Sequence, residues 1–76
     1  MKNVSIRLAT IADVQEFVSI VAKSELDIDL KSGRYVVDAK SILGIFSLNL
    51  LEPIEMTVHS DDTDELFAAL DRFIVK

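Results

Sequence analysis

The chain has 76 residues, of which half are apolar and 28% are charged, a balance typical of a folded chain rather than a disordered one. Its 8 basic and 13 acidic residues give a net charge of −5, and no Lys/Arg cluster is present that would indicate nucleic acid as a partner. The chain contains no cysteine, which excludes disulfides and thiolate metal sites.

Length and hydropathy indicate one small domain. A domain of this size buries roughly 60% of the surface of its unfolded chain, so its core must use most of the apolar residues. No apolar run approaches the ~20 residues that span a bilayer, and residues 1–8 lack the long apolar core of a signal peptide. We therefore expect residues 1–76 to form a single domain of a soluble, intracellular protein that is not bound to a membrane.

The chain begins with patterns typical of a strand and then a helix. Residues 4–8 alternate between apolar and polar, as in a strand with one buried face. Thr10 is a suitable helix N-cap, and Asp13 would lie in the first helical turn. Apolar residues at three- and four-residue spacing predict an amphipathic helix over about residues 11–23, with Ile20 outside its apolar stripe.

A hairpin and a short helix are predicted next. Residues 27–31 alternate again, residues 35–37 have strand propensity, and Ser32-Gly33 between them favours a turn. The register of this hairpin stays open at this point. Ser41 is a good N-cap for a short helix over residues 42–48.

The last third predicts one more strand and one more helix. Pro53 ends the short helix, because the residue before a proline avoids the helical region. Residues 54–58 alternate as a fourth strand, and Asp62 and Glu65 have the spacing of a capping box. The stripe of the final amphipathic helix consists of Leu66, Leu70, Phe73 and Ile74.

This order of elements predicts an α+β fold. Two amphipathic helices and a half-polar sheet fit best as a four-stranded antiparallel sheet with helices on one face and water on the other. The order would be β-α-β-β-α-β-α. We expect one core, formed by Val4, Ile6, Leu8, Val14, Phe17, Val18, Val21, Ile28, Leu30, Ile45, Leu48, Met56, Val58, Leu66, Leu70 and Phe73.

The residues that usually carry chemistry do not form a catalytic or metal-binding pattern. His59 is the only histidine and ends an alternating strand, so a solvent-facing structural role is favoured over a metal ligand. Residues 61–65 hold four acids but lack the spacing and central glycine of a calcium loop. Acids at a helix start explain that cluster better. No metal, cofactor or enzymatic activity is predicted.

One segment resembles a known family. Residues 40–48 read KSILGIFSL, which is similar to the segment around the regulatory serine of the HPr phosphocarriers of the bacterial phosphotransferase system (PTS). Residues 27–41 also resemble the hairpin that leads to that serine. The resemblance implies an HPr-like open-faced β-sandwich, a bacterial cytoplasmic setting, and a protein partner such as a PTS enzyme, a serine kinase or a transcriptional regulator.

The resemblance fails at the family's phosphate-transfer motif, Gly-x-His-Ala-Arg-Pro. Counting back from Ser41 without gaps places Thr10 at the histidine, Ala12 at the arginine and Asp13 at the proline. A threonine hydroxyl without a neighbouring base is a weak nucleophile, and Asp13 would repel phosphate. We therefore expect no nucleophile and no cation around Thr10, as in a divergent member similar to the catabolite-repression paralogue, whose active histidine is replaced.

Ser41 corresponds in this resemblance to the serine that a dedicated kinase phosphorylates in one branch of the family. Two roles stay open for Ser41, a helix cap alone or a cap that is also a regulatory phosphorylation site.

Three functional hypotheses follow. The favoured one is a regulatory or protein-interaction module without histidine phosphocarrier activity. The alternatives are a phosphocarrier whose acceptor has moved, for example to His59, and a degenerate domain without a partner.

The short helix also predicts a partner-binding surface. It carries more large apolar residues than one buried stripe can hold, and Ile45 and Leu48 are the expected buried pair. The others would be at least partly exposed and could bind a partner or a second copy of the chain. A thicker core that buries them is the alternative. The predicted surface consists of Ile42, Leu43 and Phe46, beside Ile11 and Gln15 of the first helix.

Overall fold

The structure is a computed structural model that describes residues 1–75. Its elements follow the order that the sequence predicts, and a short 3-10 turn follows the last helix. They are β1 (Lys2–Ile6), α1 (Ile11–Ala22), β2 (Ile28–Ser32), β3 (Tyr35–Asp38), α2 (Ile42–Phe46), β4 (Ile54–Val58), α3 (Asp64–Ala69) and the 3-10 turn (Asp71–Phe73).

The four strands form one antiparallel sheet in the order β1-β4-β2-β3. β4 lies in the middle, where Met56 pairs with Val4 on one side and with Leu30 on the other. The helices cover one face of this sheet, and the α+β fold predicted from the sequence is confirmed.

The hairpin between β2 and β3 has a definite register that the sequence left open. Ser32 pairs with Tyr35, so the loop contains only Gly33 and Arg34. Gly33 has a φ of 60° and is the one residue between 1 and 75 with a positive φ. A glycine with positive φ at the first loop position is what a type II′ turn requires, and that turn matches the twist of the two strands.

The core lies between the sheet and the helices and closely follows the prediction. All predicted core residues are buried except Val4 and Val18, which are partly buried and pack against the others. Ile54 and Ala39 are buried in addition, and Ile20 also packs against the core. The rings of Phe17 and Phe73 meet edge to face with centroids 6.0 Å apart, a favourable aromatic geometry.

The final helix differs from its prediction at both ends. Asp62 is not its N-cap: that position belongs to Thr63, and the Asp62 N–H donates to the Ser60 hydroxyl. The helix ends at Ala69, and Ile74 pairs with Ile6 of β1 instead of continuing a helical stripe.

Hydrogen bonds to the neighbouring strand explain the early end of α3. The Val75 N–H donates to the Ser5 carbonyl at 2.8 Å, and the Arg7 N–H donates to the Phe73 carbonyl at 2.8 Å. These bonds require an extended backbone after the 3-10 turn, because a helix would direct the same groups along its own axis. Within residues 1–75, no helix is long and apolar enough to cross a membrane.

Candidate functional site

The start of α1 is capped by the side chains of its N-cap residue and its first turn. Thr10 is the N-cap, as predicted, and its hydroxyl oxygen accepts the Asp13 N–H at 3.0 Å. The Asp13 carboxylate in turn accepts the Ala9 N–H at 3.1 Å. This reciprocal pair resembles a capping box, and it places a carboxylate at the positive end of the only helix longer than two turns in the described chain.

A cation lies at this helix start, contrary to the sequence prediction. The Arg72 guanidinium comes from the 3-10 turn and lies 3.4 Å from the Asp13 carboxylate. It also donates to the Glu16 carboxylate and stacks over the Phe73 ring at 4.0 Å. The prediction failed because Arg72 lies 59 positions from Asp13 in the chain, and only the fold brings them together.

These contacts change the titration of both residues. The pKa of the Asp13 carboxyl lies below its ordinary value because the carboxylate accepts the Ala9 N–H, and because the Arg72 guanidinium lies beside it. The pKa of Arg72 is raised, mainly by its hydrogen bond to Glu16, then by the charge of Glu16 and by that of Asp13. Both residues are therefore charged at neutral pH.

This arrangement resembles an anion-binding site in which a side chain holds the anion position. Helix N-termini attract phosphate through free N–H groups and the helix dipole. Here a carboxylate of the same helix lies at that position and is neutralised by Arg72. The Thr10 hydroxyl takes part in the helix cap. An incoming phosphate would have to compete with Asp13 for both the dipole and the cation.

The second candidate residue, Ser41, is the N-cap of α2, as predicted. Its hydroxyl oxygen accepts the Gly44 N–H at 3.2 Å, and the residue is exposed. The neighbouring Lys40 does not lie free in solvent, because its ammonium group donates to the Ser24 carbonyl at 2.8 Å. The loop after α1 and the start of α2 are therefore tied together beside Ser41.

The predicted binding surface is exposed as expected. Ile45 and Leu48 are buried, whereas the side chains of Leu43 and Phe46 are 81% and 42% exposed. Ile42 is partly buried against the core, and Ile11 and Gln15 are exposed on α1. α2 packs against α1, which places both sets of residues on neighbouring elements.

One exposed apolar residue in the loop after α2 was missed. Leu51 is 85% exposed, and its carbonyl accepts a hydrogen bond from the Arg7 side chain at 3.4 Å. Residues 41–51 include no charged side chain. This uncharged run is the sequence feature that could have indicated exposed apolar residues beyond α2.

A family comparison identifies the chain. The family model described as "PTS HPr component phosphorylation site" matches residues 12–76. The chain belongs to the HPr family. No curated protein sequence matches it at a significant level.

Two solved structures are similar over nearly their full length. HPr-C-His from Thermoanaerobacter tengcongensis is 28% identical with a TM-score of 0.78, over 95% of this chain and 89% of that chain. The phosphocarrier protein HPr from Bacillus anthracis str. Ames is 27% identical with a TM-score of 0.72, over 97% of this chain and 94% of that chain.

The family match begins two residues after Thr10. The equivalence of Thr10 with the histidine of HPr proteins therefore still depends on the ungapped count from Ser41, and it stays a prediction. His59 is the only histidine of the chain.

His59 lies in the loop between β4 and α3 and is not a helix cap. It follows β4, is exposed, and its Nε2 lies 2.7 Å from the Asp29 carboxylate. Its backbone N–H donates to the Asp27 carbonyl at 2.9 Å. Two acidic residues thus neighbour His59, and no group of residues within 1–75 could hold a metal ion.

Proposed function

We propose that this HPr-family chain is a regulatory or protein-interaction module of the sugar phosphotransferase system and does not carry phosphate on a histidine. In this proposal residues 1–76 are one cytoplasmic domain without enzymatic activity. Membership of the HPr family supports a protein partner and a connection with the PTS.

The start of α1 carries this proposal. Asp13 holds the position that an anion would take at the helix N-terminus, and Arg72 already pairs with Asp13 and Glu16. The hydroxyl oxygen of Thr10 accepts a hydrogen bond from the Asp13 N–H, which it caps. This hydroxyl does not donate to a base in the described structure. Such a site lacks both an activated nucleophile and a cation that is not already paired.

A relocated acceptor at His59 has less support. Phosphoryl transfer needs positive charge to stabilise the transferred group. The Nε2 atom of His59 instead faces the Asp29 carboxylate at 2.7 Å, and Asp27 lies nearby. A phosphate on this imidazole would meet negative charge.

The proposed partner-binding surface consists of Ile42, Leu43, Phe46, Ile11 and Gln15. Its exposed apolar side chains and the absence of charge in α2 favour a largely apolar protein contact. A PTS enzyme, a serine kinase, a transcriptional regulator or a second copy of the chain are the candidate partners. Ser41 borders this surface, so a phosphate there would add nearly two negative charges next to the contact.

A phosphotransfer assay tests the proposal. The protein is incubated with labelled phosphoenolpyruvate and the general PTS enzyme at near-neutral pH, beside an HPr that has the active histidine. We expect label on the control HPr and none on this chain. Stoichiometric, acid-labile phosphohistidine on this chain would overturn the proposal, and its loss in His59→Gln would identify the relocated acceptor.

A gain-of-function variant tests the position of the site. Thr10→His combined with Ala12→Arg and Asp13→Pro restores the imidazole and the cation and removes the competing carboxylate. We expect this triple variant to accept measurable phosphate, whereas Thr10→His alone, with Asp13 still in place, should accept far less. Equal labelling of both variants would show that Asp13 does not block the anion position.

A further inference from the structure

An open groove lies at the C-terminal end of α1, opposite to Thr10 at its N-cap. It has a volume of about 520 Å³ and runs between the C-terminal end of α1, the loop that follows it, and α3. Its apolar lining consists of Ile20, Leu26, Leu66 and Ala69. Ile20 and Leu26 are only partly buried, so the groove offers apolar surface to a ligand.

The rim of this groove is acidic. Glu25, Asp62 and Glu65 line it together with a single cation, Lys23. All three carboxylate side chains are exposed, and none forms a salt bridge within residues 1–75. The adjacent Asp61 differs, since its carboxylate pairs with the Met1 amino group at 2.7 Å. The rim therefore has unpaired negative charge around an apolar floor.

We propose that this groove binds a basic segment of a partner protein that carries one or two large apolar side chains. The apolar side chains would cover Ile20 and Leu26, where burial supplies most of the binding free energy. Lysine or arginine side chains of the segment would pair with the rim carboxylates, which give orientation and a faster association.

The charge of the groove selects against other occupants. A second copy of this chain has a net charge of −5 and would bring its own acids toward the rim. Nucleic acid would meet the same repulsion. A segment with positive charge and an apolar side chain complements both the rim and the floor.

The groove is distinct from the surface proposed above for a PTS partner. α1 has twelve residues, which is about 18 Å of helix. The groove lies at one end of this helix and Ile11 at the other. None of the residues of that surface lines the groove, and the inference does not depend on the role of Thr10.

Nuclear magnetic resonance with a synthetic peptide tests this inference. The probe is a ten-residue peptide of lysines with two central leucines, titrated into the isotope-labelled full chain at 0.15 M salt, where exposed charges are screened beyond about 8 Å. Two sister peptides carry glutamate in place of lysine, or serine in place of leucine. We expect amide shift changes at Ile20, Leu26 and Leu66 with the first peptide only.

Charge-reversed variants locate the contact. Glu25→Lys and Asp62→Lys lie in separate loops at the rim, so each should weaken binding about fivefold without disturbing a helix. Glu52→Lys is the matched control, since Glu52 is also exposed in a loop and outside the groove, and we expect no more than a twofold effect.

Four results would overturn the inference. Two concern affinity: all three variants weaken peptide binding equally, or no binding is seen at millimolar peptide. Two concern specificity: the amide shift changes centre on α2, or the serine peptide binds as tightly as the leucine peptide. Concentration-dependent shifts of the same amides without peptide would identify a second copy as the occupant instead. The spectra of the unbound variants show whether each is folded, and the two rim variants provide independent tests.

Discussion

Arg72 and Asp13 lie 59 positions apart in the chain, yet the Arg72 guanidinium is 3.4 Å from the Asp13 carboxylate. The contact joins the 3-10 turn near the end of the chain to the first turn of α1. Arg72 also bonds Glu16, one turn further along the helix. The 3-10 turn thereby places one positive charge beside two carboxylates of α1.

The first prediction concerns the pH dependence of stability. The folded-state pKa of Asp13 is lowered, first by the Ala9 N–H and then by Arg72. Its contribution to stability is therefore fully present above the unfolded-state pKa and is lost as the pH falls through the folded-state value. We expect Asp13→Asn to melt at a lower temperature than the natural chain at pH 7, with the two curves converging at acidic pH.

Arg72→Gln is the control for this effect. In that background the loss of stability caused by Asp13→Asn should become smaller but stay measurable, because the Ala9 N–H remains. Thermal unfolding followed by circular dichroism from pH 7 to pH 3 gives the curves of the natural chain, the two single variants and the double variant. A destabilisation by Asp13→Asn that does not change with pH would contradict the assignment.

The second prediction concerns Gly44. A Cβ at this position would lie 3.2 Å from the Ser41 hydroxyl oxygen and 3.2 Å from the Val37 Cβ, closer than side chains normally pack. Alanine normally stabilises a helix interior by about 1 kcal/mol over glycine, but crowding costs about 1–3 kcal/mol. The Val37 Cβ is fixed to β3 and cannot turn away. We therefore expect Gly44→Ala to lower the free energy of unfolding by about 1 kcal/mol.

Chemical denaturation measures this change. Ser19→Ala is the comparison, since Ser19 is exposed within α1 and gains helix propensity without crowding. A stabilised Gly44→Ala variant would show that α2 can move away from β3.

Local sequence patterns predicted most of the fold because strands and caps depend on neighbouring residues. The alternation over residues 54–58 and the caps at Thr10 and Ser41 are examples. The failures have a different origin. Arg72 reaches Asp13, and Ile74 pairs with Ile6, only through the packing of the two chain ends. Periodicity carries no information about such contacts. The sequence prediction therefore made the last helix too long and placed no cation at the start of α1.

The third prediction concerns Ser41. Its hydroxyl caps α2, so Ser41→Ala should destabilise the protein by about 1 kcal/mol, whereas Ser41→Asp keeps a capping oxygen and should cost less. If an HPr-type serine kinase acts on this chain, Ser41 should be its target, because Ser41 is exposed and resembles the family's regulatory serine.

Intact mass spectrometry after kinase treatment checks the target. We expect one phosphate on the natural chain and on Ser47→Ala, and none on Ser41→Ala. Ser47 is a suitable comparison, since it is exposed but its hydroxyl donates to the Gly44 carbonyl at 2.6 Å. Phosphate that persists in Ser41→Ala would contradict the prediction.

The last prediction separates the binding surface from the core by comparing two phenylalanines. Phe46 is 42% exposed and Phe73 is 2% exposed. Truncating a buried phenylalanine costs about 3–5 kcal/mol, and we expect that cost for Phe73→Ala. Because Phe46 already contacts water, Phe46→Ala should cost about 1 kcal/mol, in proportion to the smaller apolar area that it buries. Urea denaturation gives both values if the slope of the unfolding free energy is unchanged.

The same variant should weaken association if the surface binds a partner. Two assays compare the natural chain with Phe46→Ala and Tyr35→Ala. One is sedimentation across a range of concentrations, and the other is binding to PTS proteins. Tyr35 is an exposed aromatic residue on β3, outside the proposed surface. A Phe46→Ala chain that unfolds at ambient temperature would place α2 in the core. A folded chain that associates as tightly as the natural one would remove Phe46 from the surface.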